Sequence, residues 1–251
     1  MARDVWLEVG GIRTFARVLG SGPPLVLVPG LACSHLYFGP VQRALAEHFE
    51  VWAYDPPGHG YSRAPVGAYT KLGELSDHLV AWLEAARLRD VVLFGHSQGA
   101  EIAVDLAAHQ PHLVSKLVLC APTGIPEYPN IAGQMLNLAR DALRERPVLV
   151  WRVLRSYALA GPRRAWGLLE DQLHHQTVPN LPRLKAPVLL VTGSRDPIIR
   201  PRLAEVMNEL LPESGWVEIQ GGTHAVHDSH TAQVAAAVKR FILTGLEVNP
   251  V

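Results

Sequence analysis

Cysteine is nearly missing from this chain, with only Cys33 and Cys120 in 251 residues. So few thiols, so far apart, exclude a disulfide scaffold and predict two reduced, buried side chains. An excess of charge of either sign is missing too. Lys plus Arg number 23 and Asp plus Glu number 23. There is no basic surplus for nucleic acid or an anionic membrane surface, and no acidic surplus for a basic partner. No run approaches the roughly 20 apolar residues of a membrane span. The opening MARDVWLEVGGIRTF interleaves charges with apolar residues and lacks the apolar core of a signal peptide. These gaps predict a globular, cytoplasmic protein that acts on a small molecule of little charge. Nothing in the sequence sets its oligomeric state.

What is present is an alternation of two periods. Residues 5–9 and 12–19 are β-like runs around Gly10-Gly11, a hairpin signal. Pro24 to Val28 is a near-continuous apolar run, the pattern of a strand buried on both faces. A helix-like stretch from Pro40 to His48 leads to a strand at Phe49 to Tyr54. From Lys71 to Leu88 apolar residues fall at Leu72, Leu75, Leu79, Trp82, Leu83 and Ala86, one buried face of a helix. Strands are predicted again at Val91 to Phe94, Lys116 to Cys120, Pro187 to Val191 and Gly215 to Ile219. Helices are predicted at Ser97 to His109, Pro201 to Leu211 and Thr231 to Leu243. Such alternation implies right-handed crossovers and one α/β domain with helices on both faces of a mostly parallel sheet of about eight strands. From about Thr123 to Leu184 the strand signal stops and prolines recur between amphipathic pieces. That segment is expected to be a small helical cap over the carboxyl ends of the strands.

Chemistry concentrates at three loops. Gly95-His96-Ser97-Gln98-Gly99 is a G-x-S-x-G pentapeptide between an apolar strand and a helix, the setting of a nucleophile elbow. A serine hydroxyl is a weak nucleophile at neutral pH and needs a base, itself oriented by a third group. Thr192-Gly193-Ser194-Arg195-Asp196-Pro197 puts Asp196 just past one strand, and Gly221-Gly222-Thr223-His224 puts His224 just past the last one. Ser97, Asp196 and His224 are thus the candidate catalytic triad. An ordinary histidine, with a pKa near ~6.5, would make activity rise through roughly pH 6–7. His224, His227 and His230 recur every three residues, but that spacing fits neither common two-histidine helical zinc pattern. No metal and no cofactor is expected.

Taken together, VPGLA at 28–32, DPPGHGYS at 55–62, GHSQGA at 95–100, VTGSRDPI at 191–198 and GGTHAVH at 221–227 resemble the α/β-hydrolase superfamily over essentially the whole chain. The resemblance is to its branch of serine esterases and carbon–carbon hydrolases. It implies an oxyanion hole made by the backbone amides of Leu31 and Gln98. It also shows two departures: Pro29-Gly30 stands where a His-Gly pair is usual, and Ser229 replaces a frequent acidic residue five positions after the histidine. His59 and His96 are expected to play structural, hydrogen-bonding roles, with His96 also a candidate pocket residue. Trp151 and Tyr157 in the cap are further candidates for the substrate pocket, although packing would explain them as well. His174-His175 is expected on the surface.

The leading expectation is hydrolysis of a small carboxylic ester or related acyl compound through an acyl-enzyme. The same triad in relatives cleaves thioesters, lactones or carbon–carbon bonds, and fold does not separate these. A non-catalytic ligand-binding protein on the same fold is the alternative from another class.

Overall fold

Residues on the central strands alternate between two apolar layers. Val26 and Val28 enter one buried cluster, while Leu25 and Leu27 enter the other. Leu93 against Val92 and Phe94 divides the same way, as do Leu117 and Leu119 against Val118. A two-residue period with both faces apolar requires helices on both sides, and each such Leu or Val contributes about 2 kcal/mol by leaving water.

The computed structural model describes residues 2–125, 131–175 and 177–246. Its strands are β1 (Arg3–Val9), β2 (Ile12–Leu19), β3 (Pro24–Val28), β4 (Glu50–Tyr54), β5 (Val91–His96), β6 (Val114–Cys120), β7 (Val188–Gly193) and β8 (Ser214–Ile219). Its helices are α1 (Gly39–Leu45), α2 (Leu72–Ala85), α3 (Gln98–His109), α4 (Ile131–Ala142), α5 (Pro147–Ala160), α6 (Pro162–Gln172), α7 (Pro201–Leu210), α8 (Val226–Ser229) and α9 (Thr231–Thr244). The eight strands form one sheet in the order β1-β2-β4-β3-β5-β6-β7-β8. Only β1–β2 and β2–β4 are antiparallel. Helix α2 ends at Ala85, short of the predicted Leu88, because Arg87 turns the chain at φ 56°. Among the described residues no helix is long and apolar enough to cross a membrane.

The strand order positions the site. From β3 the chain crosses by α1 to β4 on one side, then returns by α2 to β5 on the other side of β3. Val41 and Leu45 of α1 pack in one buried cluster, and Leu75 and Leu79 of α2 in the opposite one. Beside β3 the connections therefore diverge, and a crevice opens at the strands' carboxyl ends. The register pairs Val28 with Gly95, so the loop after β3 and the turn after β5 begin side by side.

Helices α4 to α6 lie between β6 and β7. The two ends of this excursion meet: a side-chain carbon at Gly124 would strike the side chain of Thr177. Both ends also converge on Glu101 of α3. Its carboxylate accepts hydrogen bonds from Thr123 Oγ1 and Gln172 Nε2, and from Thr177 Oγ1 at 2.9 Å. Farther along, the Arg164 guanidinium donates to the carbonyls of Gly58, Pro65, Ala68 and Ala160.

Candidate active site

Ser97 sits at the tip of the turn from β5 into α3 with φ 54° and ψ −125°. That backbone is costly for any residue with a side chain, and such strain is kept where surrounding contacts over-determine it. Those contacts are visible on both sides. A side-chain carbon at Gly95 would strike Gly99 and Ala100, and one at Gly99 would strike the carbonyls of Val28 and Pro29. The Ser97 amide is spent on Cys120 O at 3.0 Å, which ties the turn to β6. The hydroxyl is left half-exposed above the start of α3, where the helix dipole favours negative charge.

His224 Nε2 lies 2.9 Å from Ser97 Oγ, and its Nδ1 lies 2.8 Å from Asp196 Oδ2. A carboxylate only accepts, so Nδ1 carries a proton. The other Asp196 oxygen accepts the amides of Ile198 at 2.7 Å and Ile199 at 3.0 Å. Asp196 and His224 are buried, whereas Ser97 is open to the crevice. Residues from three separate loops are thus joined in one chain of hydrogen bonds. Burial would pull the imidazole down, but the charge and hydrogen bond of Asp196, followed by the carboxylates of Asp141 and Glu145, outweigh it. The result is a histidine raised from its ordinary 6.5 to about 9.

The loop after β3 closes over this turn, and a side-chain carbon at Gly30 would come within 3.2 Å of Ser97 Cβ. Among the described residues, neither the Leu31 amide nor the Gln98 amide is given an acceptor by the chain. Ala32, next along, is held at φ 51°. Behind the loop stands Tyr37, whose hydroxyl accepts the Gly30 amide at 2.7 Å and reaches His96 Nδ1 at 3.0 Å. His96 Nε2 lies 3.0 Å from the carbonyl of His224 and must donate to it. Tyr37 therefore donates to Nδ1, and His96 is a neutral bridge from the β3 loop to the His224 backbone. Burial, with the nearby His224 charge, pushes His96 down to about 3. With both ring nitrogens engaged, His96 is removed from the candidate pocket residues.

The α4–α6 candidates separate. Trp151 is 65% exposed on the outer surface of α5, so its indole faces water and not a pocket. Tyr157 is half-buried and packs against both apolar clusters. Burial, with Cys33 as an electrostatic neighbour, raises its hydroxyl well above the ordinary value. Cys33 and Cys120 are both free and buried, and burial pushes the Cys33 thiol up to about 12, far from a reactive thiolate. His227 is enclosed by the rings of Tyr37, Phe38 and His96. His59 is buried with Nδ1 on the Pro57 carbonyl, His174 is exposed, and His175 is half-buried. Among the described residues no group of three His, Cys, Asp or Glu side chains is arranged to hold a metal ion.

Two acidic residues beside the site carried no sequence motif. Asp141 Oδ1 accepts the His224 amide at 3.2 Å, and Glu145 Oε1 accepts the Ala225 amide at 3.1 Å. They lie in RDALRER, which in sequence reads as a solvated helix end. Their four-residue spacing is the only signal that pairs them, and Glu145 lies past the end of α4.

The family comparison agrees with the fold. The model of the alpha/beta hydrolase family matches residues 25–237. The chain belongs to that family, and it is a hydrolytic enzyme. A pimeloyl-[acyl-carrier protein] methyl ester esterase of Nitrosospira multiformis is 35% identical, over 93% of this chain and 99% of the relative. A 2-(acetamidomethylene)succinate hydrolase of Mesorhizobium japonicum is 26% identical, over 94% of each. Among solved structures, the enol-lactonase from Burkholderia xenovorans superposes with a TM-score of 0.82 at 21% identity, over 95% of this chain and 99% of that one. At that identity the likeness is one of fold.

Proposed function

We propose that this enzyme hydrolyses a small carboxylic ester through an acyl-enzyme, with Ser97 as nucleophile, His224 as general base and acid, and Asp196 as orienting carboxylate. The observation that carries this reading is the continuous Ser97–His224–Asp196 hydrogen-bond chain on a strained strand-to-helix turn. Ser97 Oγ attacks the ester carbonyl as Nε2 takes its proton. The oxyanion is held by the Leu31 and Gln98 amides, each a donor worth about 3–4 kcal/mol in such a site. The imidazolium then protonates the departing alkoxide. Water, deprotonated by the same nitrogen, cleaves the acyl-serine and regenerates Ser97.

Helices α4 to α6 supply the cap in this reading, and Tyr157, close to the loop carrying Leu31, is its pocket residue. A short cap with an apolar inner face favours short or medium acyl groups. A panel of esters of increasing chain length, with thioesters and lactones, tests this. Short and medium acyl esters are expected to be cleaved fastest, with Tyr157→Ala raising their KM about tenfold and Trp151→Ala leaving KM unchanged. Faster turnover of long-chain lipids or strongly anionic substrates would overturn the assignment, and higher rates on thioesters or lactones would transfer the mechanism to that bond. The likeness to the Nitrosospira esterase favours one specific second reading, a methyl ester of an acyl chain held on a carrier protein. Comparing free and carrier-bound methyl esters separates the two.

A general base must start neutral, so kcat/KM acquires an acid limb at the pKa of His224. The limb is expected well above the ordinary 6.5 and towards 9, displaced from the pH 6–7 that an unperturbed histidine would give. A pH–rate profile over roughly pH 5–10 measures it. A profile flat down to about pH 5 would remove histidine as the base.

A further inference from the structure

The segment from Asp141 to Arg146 grips both catalytic loops from the cap side. Asp141 takes the backbone amide of His224, and Glu145 takes that of Ala225. Arg144 donates to the carbonyl of Arg195, the neighbour of Asp196, at 3.0 Å. Arg146 donates through Nε to Asp228 at 2.7 Å, and that carboxylate is itself buried. Four side chains of one short stretch thus engage the loops that carry the histidine and its orienting acid. All four are charged, and Asp141 and the Asp228 carboxylate that Arg146 meets are buried. A contact made only to close the cap could have used apolar packing at less desolvation cost.

We infer that Asp141 and Glu145 are positioning residues for His224, a second, cap-borne pair of carboxylates that fixes its backbone and favours its charged form beside Asp196. The inference rests on the triad reading above. Acylation turns His224 from neutral to cationic, so anions held near the ring are worth more in that step than before it. The same anions hold the resting imidazole in its charged state, which costs activity at low pH. Cap seating and proton affinity of the base are therefore one property.

Every titratable group facing His224 has a definite sign in this account. Asp196, Asp141 and Glu145 raise its proton affinity. His96, from β5, packs against its ring at 5.1 Å, and His227 is an electrostatic neighbour; burial drives both towards the neutral form. Burial raises the Asp141 carboxyl above its ordinary value, with His224 and then Arg144 pulling the other way, and burial raises Glu145 too. Arg146 is committed to Asp228. Removing either cap carboxylate thus has a predictable direction.

The test is Asp141→Asn and Glu145→Gln, each keeping an oxygen for its backbone amide while losing the charge. The acid limb of kcat/KM is expected to move to lower pH by about one unit in each variant, while kcat on the plateau falls about threefold to tenfold. Asp141→Ala, which also loses the acceptor, is expected to fall further on the plateau with the same displaced limb. A merely structural role would lower the melting temperature and leave the limb where the unsubstituted enzyme has it. A limb unmoved in both Asp141→Asn and Glu145→Gln overturns the inference, and Glu145→Gln alone decides if the other variant does not fold. Fluorophosphonate labelling of the unsubstituted protein and of Ser97→Ala is run alongside. Labelling lost with Ser97 keeps the triad reading independent of this result, and labelling that survives without Ser97 overturns both.

Discussion

Replacing Ser97 with alanine is expected to leave a folded protein whose kcat is lower by about six orders of magnitude. The size follows from the geometry. Ser97 Oγ is 2.9 Å from His224 Nε2, and no other hydroxyl among the described residues is hydrogen-bonded to that nitrogen. Alanine is smaller and can occupy the same φ 54° backbone at no greater strain, so the turn and its contacts with Val28 and Pro29 persist. What disappears is the nucleophile, together with the reason for a base and an orienting acid, because such groups act as a unit. Initial rates on the best ester of the panel, with a thermal melt for folding, measure the effect. Retention of more than about a tenth of the activity would mean that Ser97 is not the nucleophile.

Asp196→Asn is expected to cost on the order of 10⁴ in kcat with KM and fold nearly unchanged. Here the surrounding donors dictate the outcome. The amides of Ile198 and Ile199 hold one oxygen of the residue, and an asparagine must turn its carbonyl towards them. Its NH₂ group then faces His224 Nδ1, which can only accept from it. The proton moves to Nε2, the nitrogen that must be free to take a proton from Ser97. With the negative charge gone, the upward push on the imidazole also weakens, so the residual activity should show a lower acid limb. The rival acid is Glu127, which follows β6 in sequence and lies outside the described residues. Glu127→Gln measured beside Asp196→Asn decides between them, since only the residue holding Nδ1 produces the larger loss.

Local pattern and local chemistry were legible wherever one segment decides its own conformation. The alternation in PLVLV and VVLFG predicted strands apolar on both faces, and Leu25 with Leu27 against Val26 with Val28 bear that out. The Gly95–Gly99 pentapeptide announced a tight turn, because positions without side chains two residues to either side of a central serine are needed where neighbouring backbones touch. Interactions between distant segments were legible only where motifs marked both partners, as for Ser97, Asp196 and His224. His224 has a sequence neighbourhood typical of a loop, yet its proton affinity is set by Asp196, Asp141 and Glu145, from 28 to 83 residues away. The expected rise at pH 6–7 took an ordinary histidine value, although Asp196 was already its expected partner; Asp141 and Glu145 carried no motif to announce them. His96 next to the serine invited a pocket role, and Tyr37, which occupies its Nδ1, lies 59 residues earlier. Trp151 failed for a related reason. Its helix is apolar on more than one side, with Val148, Leu154 and Leu159 exposed as well, so hydrophobicity alone did not mark the inner face.

The meeting of Gly124 with Thr177, and of both ends of the excursion on Glu101, has a consequence for how this architecture diversifies. Viewed from the sheet, helices α4 to α6 are a loop whose termini are in contact, so β6 and β7 keep their register whatever is threaded between them. Lengthening such a loop adds little to the entropy of closing it, about 0.6 kcal/mol for each doubling. If these helices are the proposed cap, a lineage can exchange the entire roof, and with it the range of molecules admitted, by keeping one buried carboxylate and two threonines. On the proposed reading, the machinery for bond cleavage and the choice of what is cleaved are in this sense separately heritable, except at Asp141 and Glu145, where a new roof would also have to restore the proton affinity of the histidine beneath it.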